Sequence, residues 1–278
     1  MIFTKPMGHD SRLHRVLLLK NMVDGGNDPY TKKIQEHQDS FEEPIFLPLI
    51  THTNVPQNII SRFADRADNL QDDYDFLIIT SQRSIECLNL PELKHIRNKL
   101  IDKPTYTVGP ATSNFLSSLG FTDIRGGIHA GNGMKLASII DNDYPAGGKA
   151  LFLVGEIRKD IIPKYLRPRN FTVDEIIMYK TAELSDSIVW FKSYLDKCDW
   201  IVVFSPQGMS DILQYMKQYS KGARPFKIAC IGPTTCEFLN SNGIEPDLVS
   251  PKPDANSLIA AIKEYEVISR LSHSNGDY

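Results

Sequence analysis

Small hydroxyl residues stand at four points where a short apolar run gives way to a helical pattern. Thr80-Ser81 follows Phe76 to Ile79, and Ser205-Pro206 follows Ile201 to Phe204. Gly109-Pro110 and Gly232-Pro233 open the other two turns, with Thr112, Thr234 and Thr235 just inside the helical stretches. Ser followed by Pro fits an N-cap with Pro at the first helical position. A helix start offers unpaired N–H groups and a partial positive charge, so it attracts carboxylates or phosphates. Turns that follow parallel strands gather at the carboxyl edge of the sheet, where open α/β folds take ligands. Ordinary capping is the alternative for any one of these residues. Four such turns, related in pairs, shift the balance toward binding.

Other candidates are weaker. Gly155-Glu-Ile-Arg158-Lys159-Asp160 follows an apolar run and could place cations near an anion, although a solvated helix start is the simpler reading. Tyr179 lies in an extended segment, where a phenol could donate a hydrogen bond or merely pack. Gly-Pro-x-Thr is not a phosphate loop, and no G-x-G-x-x-G or H-E-x-x-H occurs. Phe204-Ser-Pro-Gln-Gly208 is not a nucleophile elbow. Nucleotide binding, zinc hydrolysis and serine hydrolysis are therefore disfavoured.

The elements that must position these turns are short apolar runs: Val16–Leu19, Phe76–Ile79, Thr105–Val108, Ala150–Val154, Ile201–Phe204 and Ile228–Ile231. Runs this short suit parallel strands buried on both faces. Amphipathic stretches follow most of them; Ile212, Leu213, Tyr215 and Met216 can share one helix face, as can Phe115, Leu116 and Leu119. Strand, turn and helix in repeated order predict an α/β fold.

The order is also duplicated. Asp75-Phe-Leu-Ile-Ile-Thr-Ser81 resembles Asp199-Trp-Ile-Val-Val-Phe-Ser205, and Val108-Gly-Pro-Ala-Thr112 resembles Ile231-Gly-Pro-Thr-Thr235. Gly120 falls on Gly243, and Leu136–Ile140 on Leu258–Ile262, at nearly the same offset. Val16–Leu19 is expected to match Ala150–Phe152. The repeat predicts two related units, about residues 15–141 and 148–265. Each carries an extended segment after its first helix, Pro44–Ile50 and Asp174–Thr181. Pro44 and Pro48 make the former an edge strand or a linker.

Composition narrows the class. The 278 residues are 41% hydrophobic and 23% charged, with a formal net charge of −3, which suits a soluble globular protein without a nucleic-acid footprint. Cys87, Cys198, Cys230 and Cys236 form no C-x-x-C pair, so reduced thiols are expected. Met1 to Arg15 lacks an apolar signal core, and no run could span a bilayer, so a cytoplasmic protein is expected. The polar tail, Ser272 to Tyr278, is expected to fray.

Taken in order, Val16-Leu-Leu-Leu-Lys20, Asp28-Pro-Tyr30, Ile79-Thr-Ser-Gln-Arg83, Val108-Gly-Pro-Ala-Thr112, Tyr179-Lys-Thr181, Phe204-Ser-Pro-Gln-Gly208 and Ile231-Gly-Pro-Thr-Thr235 resemble the uroporphyrinogen-III synthases, most of all fungal or other eukaryotic members. The resemblance runs from about Arg15 to Tyr265. It implies two end-exchanged domains: residues 1–43 with 182–278, and residues 51–174. The segments 44–50 and 175–181 would be extended connector strands between them. Each domain would hold a five-stranded parallel sheet with helices on both faces, and the cleft between domains would be the active site. The implied reaction closes linear hydroxymethylbilane into uroporphyrinogen III. Loss of the hydroxyl gives an azafulvene, and the D ring inverts through a spiro intermediate, with no metal, nucleotide or organic cofactor.

The family's tyrosine maps to Tyr179, which would help the hydroxyl leave. Thr112 and Thr235 map to its cleft threonines, with Thr234 beside the latter. Ser81 and Ser205 map to the other turn hydroxyls, with Gln207 and Gly208 as further polar contacts. Lys227 resembles a family lysine just before a strand. Asn170 stands where many relatives have Gly, and Asn also tolerates positive φ. Lys20 replaces an Arg common in bacterial members. The resemblance further implies a monomer, with transient contact to the preceding deaminase and no nucleic-acid or membrane partner. A non-catalytic tetrapyrrole-binding sensor on the same fold is the alternative. A generic two-lobed binding protein would usually carry a signal peptide.

Overall fold

The computed structural model describes residues 13–23, 27–64, 73–219 and 224–274. Residues 1–12, on which most of the signal-peptide reading rests, lie outside them. In chain order the elements begin with β1 (Val16–Leu19), α1 (Pro29–Gln35), β2 (Ile45–Phe46), β3 (Ile50–Asn54) and α2 (Gln57–Phe63). Next come β4 (Phe76–Ile79), α3 (Gln82–Leu88), α4 (Lys94–Leu100), β5 (Thr105–Val108), α5 (Pro110–Ser118), β6 (Ile124–Gly127) and α6 (Gly133–Asp143). Then follow β7 (Lys149–Gly155), α7 (Ile161–Leu166), β8 (Thr172–Glu183), α8 (Ser187–Leu195), β9 (Trp200–Val203) and α9 (Ser210–Met216). The chain ends through β10 (Lys227–Cys230), α10 (Pro233–Ser241), β11 (Leu248–Val249) and α11 (Ala255–Ser274). Ser272 to Ser274, expected in the frayed tail, belong to this last helix, and the rest of the tail lies outside the described residues.

The chain divides into two compact units. Unit 1 comprises Met1–Thr51 and Ala182–Tyr278, and unit 2 comprises His52–Thr181. Unit 1 carries a five-stranded sheet ordered β11-β10-β9-β1-β2, all of whose pairs are parallel. The second sheet is ordered β3-β8-β7-β4-β5-β6 and is parallel from β8 to β6. The resemblance implied five strands here. There are six, because Ile50–Asn54 adds at the edge beside β8. Residues 175–181, expected as a connector, are part of the twelve-residue strand β8, which pairs with β7 as far as Tyr179.

Strands this short are central because both of their faces are apolar. In β1, Leu17 and Leu19 pack against α8, α9 and α10, while Val16 and Leu18 meet α1 and α11. In β4, Leu77 and Ile79 join a cluster with α2 to α5, and Phe76 and Ile78 one with α6 and α7. Side chains alternate along a strand, so every position finds a helix. Each fully buried Leu, Ile or Val favours folding by about 1.5–3 kcal/mol over an exposed one.

The two sheets repeat one plan, but the consecutive repeats read from spacing are not the compact units. β1 and β7 hold equivalent places, each beside the strand that opens with the repeated aspartate. The Asp199 carboxylate accepts from Arg15 N at 2.8 Å, and the Asp75 carboxylate accepts from Lys149 N at 2.7 Å. Each aspartate thus anchors the start of the neighbouring strand. Among the described residues no helix is long and apolar enough to cross a membrane. The four cysteines are unpaired, and burial raises the Cys87 and Cys198 thiols to about 11.

Candidate functional site

In unit 2 the carboxyl ends of β4, β5 and β7 surround a cavity of about 250 Å³, lined by Thr80, Ser81, Val108, Phe152, Val154, Gly155 and Tyr179, with Arg158, Lys159 and the start of α7 at its rim. Ser81 caps α3: its backbone is extended, and its hydroxyl accepts from Arg83 N at 3.2 Å. The same oxygen lies 3.1 Å from the Tyr179 hydroxyl.

Tyr179 gets there through a β-bulge. Val154 pairs with Ile177, but Gly155 pairs with Tyr179, so Met178 is the extra residue. Strict alternation would send Tyr179 to the face of Val173 and Ile177. The bulge leaves Met178 and Tyr179 both on the face of Leu77 and Leu153. Gly155 makes the room: a Cβ there would lie 2.5 Å from Tyr179 Cζ and 2.6 Å from its hydroxyl oxygen. Sequence reasoning did not single out Gly155 for this. The available signal was a glycine closing an apolar strand, where close approach of another group is common.

The rim cations differ. Arg158 donates to Glu175 at 3.0 Å and is committed to that pair. Lys159 is exposed at the cavity and makes no ion pair among the described residues. At the next turn Gly109 adopts φ +78°, and Pro110 opens α5. Thr112 is buried.

Unit 1 repeats this edge with changes. The Ser205 hydroxyl accepts from Gln207 N at 3.1 Å, but α9 begins only at Ser210. The expectation that Ser205-Pro206 starts the helix is therefore corrected. Residues 206–209 form a loop in which Gly208, at φ +76°, is pressed against Leu49, leaving 2.6 Å for any Cβ. That contact fixes the loop, and it leaves Gln207 exposed. Thr235 is buried and donates to the Phe204 carbonyl at 3.4 Å, while Thr234 is exposed.

Lys227 does not join the set. It opens β10, so it stands at the amino end, about 10 Å along the sheet from the turn that carries Thr234 and Thr235. Its ammonium donates to Glu266 at 2.5 Å, and Trp200 Nε1 donates to the same oxygen at 2.7 Å. Lys20 is also accounted for. It pairs with the fully buried Asp28, which caps α1 by accepting from Tyr30 N at 2.9 Å. Burial would raise the Asp28 pKa, but Lys20 and the N–H groups of Tyr30 and Val23 outweigh it and hold the carboxyl below its ordinary value. Among the described residues no three His, Cys, Asp or Glu side chains gather as a metal site.

The turn geometry can then be set beside known proteins. Residues 29–260 match the model of the family described as uroporphyrinogen-III synthase HemD. The uroporphyrinogen-III synthase of Saccharomyces cerevisiae is 43% identical over 270 residues, covering 91% of this chain and 96% of that protein. That of Schizosaccharomyces pombe is 34% identical over 249 residues, covering 86% and 92%. Among solved structures, the Helicobacter pylori uroporphyrinogen-III synthetase shares 14% identity at a TM-score of 0.58, covering 91% of this chain and all of that one. A mutant Thermus thermophilus enzyme shares 15% identity at a TM-score of 0.52, covering 90% and 98%. At such identities the structures speak for the fold alone, and the family rests on the model and the two yeast sequences. The chain belongs to the uroporphyrinogen-III synthase family.

Proposed function

We propose that this chain closes hydroxymethylbilane into uroporphyrinogen III with inversion of the D ring and loss of water, and that Tyr179 protonates the departing hydroxyl. The observation that carries the assignment is the Tyr179 hydroxyl, 3.1 Å from Ser81 at the edge of the unit 2 cavity. Ser81 already accepts from a backbone N–H at the start of α3, so its own O–H is available to a developing phenolate. The proton given to the hydroxyl leaves in water. The proton lost from the D ring as the macrocycle closes restores the phenol, so the cycle balances.

The substrate carries eight carboxylates and apolar pyrroles. Ser81, Thr112 and Lys159 supply polar contacts in unit 2; Ser205, Gln207, Gly208, Thr234 and Thr235 supply the corresponding set in unit 1. Distributed contacts of this kind hold one geometry against spontaneous closure to the type I isomer. The domain plan expected from the resemblance, with residues 1–43 and 182–278 discontinuous and 51–174 between them, belongs to the same proposal. It is supported by β1 and β2 lying in one sheet with β9 to β11. An isomer assay tests the reading: freshly made hydroxymethylbilane is supplied, and the products are oxidised and separated as type I and type III uroporphyrins. Type III above the enzyme-free control is expected. Type I alone from folded protein would overturn it.

A further inference from the structure

His52, on β3, faces Tyr179 from the neighbouring strand. Its ring meets the phenol ring edge-to-face, with centroids 5.6 Å apart and planes at 82°. Its Nδ1 lies 3.0 Å from Thr181 Oγ1, two residues beyond Tyr179 on the same strand. The imidazole is thus tied to β8 at one atom and packed on the tyrosine at another. Burial, then the Arg83 guanidinium, push its pKa below the ordinary 6.5 against a smaller pull from Glu86, so the ring is neutral near pH 7. Arg83 and Glu86 on α3 pair with each other at 2.7 Å.

We propose that His52 is the positioning residue for Tyr179: pinned by Thr181, its ring holds the phenol over Gly155 and toward Ser81. The inference rests on Tyr179 being the proton donor. The reason is geometric. Ser81 contacts only the hydroxyl and Gly155 only makes room, so neither stops the ring from swinging outward. An edge-to-face neighbour does, because the packing energy is lost when the ring turns away. β3 has no other evident reason to carry an aromatic here, since its remaining residues from Thr51 to Asn54 are polar. A preorganised donor acts in the transition state and affects turnover more than binding.

The test uses the full-length protein labelled with fluorotyrosine. The Tyr179 fluorine resonance is assigned by its loss in Tyr179→Phe. His52→Asn keeps a hydrogen-bonding group for Thr181 but removes the ring. It should shift the Tyr179 resonance and lower kcat roughly threefold to tenfold, with KM within about twofold. His52→Phe keeps the ring and should restore both. Thr181→Val, which frees the imidazole, should move both readouts in the direction of His52→Asn, by less, and serves if His52→Asn does not fold. An unmoved resonance in His52→Asn, or in Thr181→Val where it replaces it, or a His52→Phe no better than His52→Asn, would overturn the inference. Unchanged kcat in Tyr179→Phe would instead remove the donor assignment, while the resonance still decides the contact.

Discussion

The turn after β4 and the turn after β9 start from matching sequence and diverge within three residues. Both strands open with an aspartate that anchors a neighbour, and both end in a serine that accepts a backbone N–H two residues on. In unit 2 that serine leads straight into α3 and faces a phenol. In unit 1 a loop intervenes, and Gly208 docks it on Leu49. The larger difference lies two strands further out. β8 is twelve residues long and carries Tyr179 to the carboxyl edge, whereas its counterpart β2 has two residues, followed closely by Pro48. The duplicated plan supplies hydroxyls and helix starts twice. It supplies an acid once. On the proposed reading, the candidate binding hydroxyls lie in both units, and the candidate proton donor, Tyr179, lies in unit 2.

The comparison breaks most directly at Tyr179. Tyr179→Phe should lower kcat about a hundredfold while KM stays within about twofold, as expected for loss of a general acid. Ser205→Ala, on the matching edge of unit 1, should change kcat by no more than about threefold and act mainly on KM. Steady-state kinetics with isomer analysis reads both. Equal losses in the two variants would dissolve the division of labour.

Gly155→Ala should come next. Its methyl would fall within 3 Å of the phenol, so the ring must leave Ser81. A loss of about tenfold or more in kcat is expected, because misplacement by about 1 Å can cost a hundredfold. Retained folding by circular dichroism and calorimetry would separate this from collapse of the strand.

The twin Gly-Pro turns give a smaller and purely structural contrast. Gly109 sits at φ +78° and ψ 156°, a region nearly closed to other residues, whereas Gly232 is fully extended at φ 177° with open space where a Cβ would go. Gly109→Ala should cost about 1–3 kcal/mol of stability. Gly232→Ala should be neutral or stabilise by up to about 1 kcal/mol by restricting the unfolded chain. Urea midpoints for the two variants measure the gap, and similar midpoints would refute the backbone argument.

These turns also mark how far the sequence could be read. The central strands were legible because an apolar run with both faces covered has no alternative use, and Asp75 and Asp199 flagged the repeat. The threonines after Gly109 and Gly232 were legible as a pair, but the different backbones beneath them were not, since glycine permits both. β3 escaped because Thr51, His52, Thr53 and Asn54 carry no apolar alternation. β6 escaped because Gly126 and Gly127 weaken any strand signal. The exact placement of Tyr179 depends on a one-residue bulge, which no local pattern announces. Lys227 stands at the start of a strand, as its sequence position indicates, and that places it at the amino end, opposite the turns.

That lysine leads to an effect on stability that depends on pH. Burial would raise the Glu266 pKa, but Lys227, His14 and Trp200 outweigh it and hold the carboxyl below its ordinary value. A carboxyl depressed in the folded state contributes stability that is fully present above its unfolded pKa, near 4.5, and is lost as pH falls through the folded value. Glu266→Gln should therefore be less stable than the parent by about 1–3 kcal/mol at pH 7, through weaker hydrogen bonds to Lys227 and Trp200. The gap should close as the pH drops below 4.5. Scanning calorimetry across that range reads the effect on unit 1. If instead the gap is constant with pH, Glu266 acts through packing, and the cluster at the amino edge owes nothing to its charge. A closing gap instead makes the amino edge of the unit 1 sheet an electrostatic clamp built on Glu266 and Lys227.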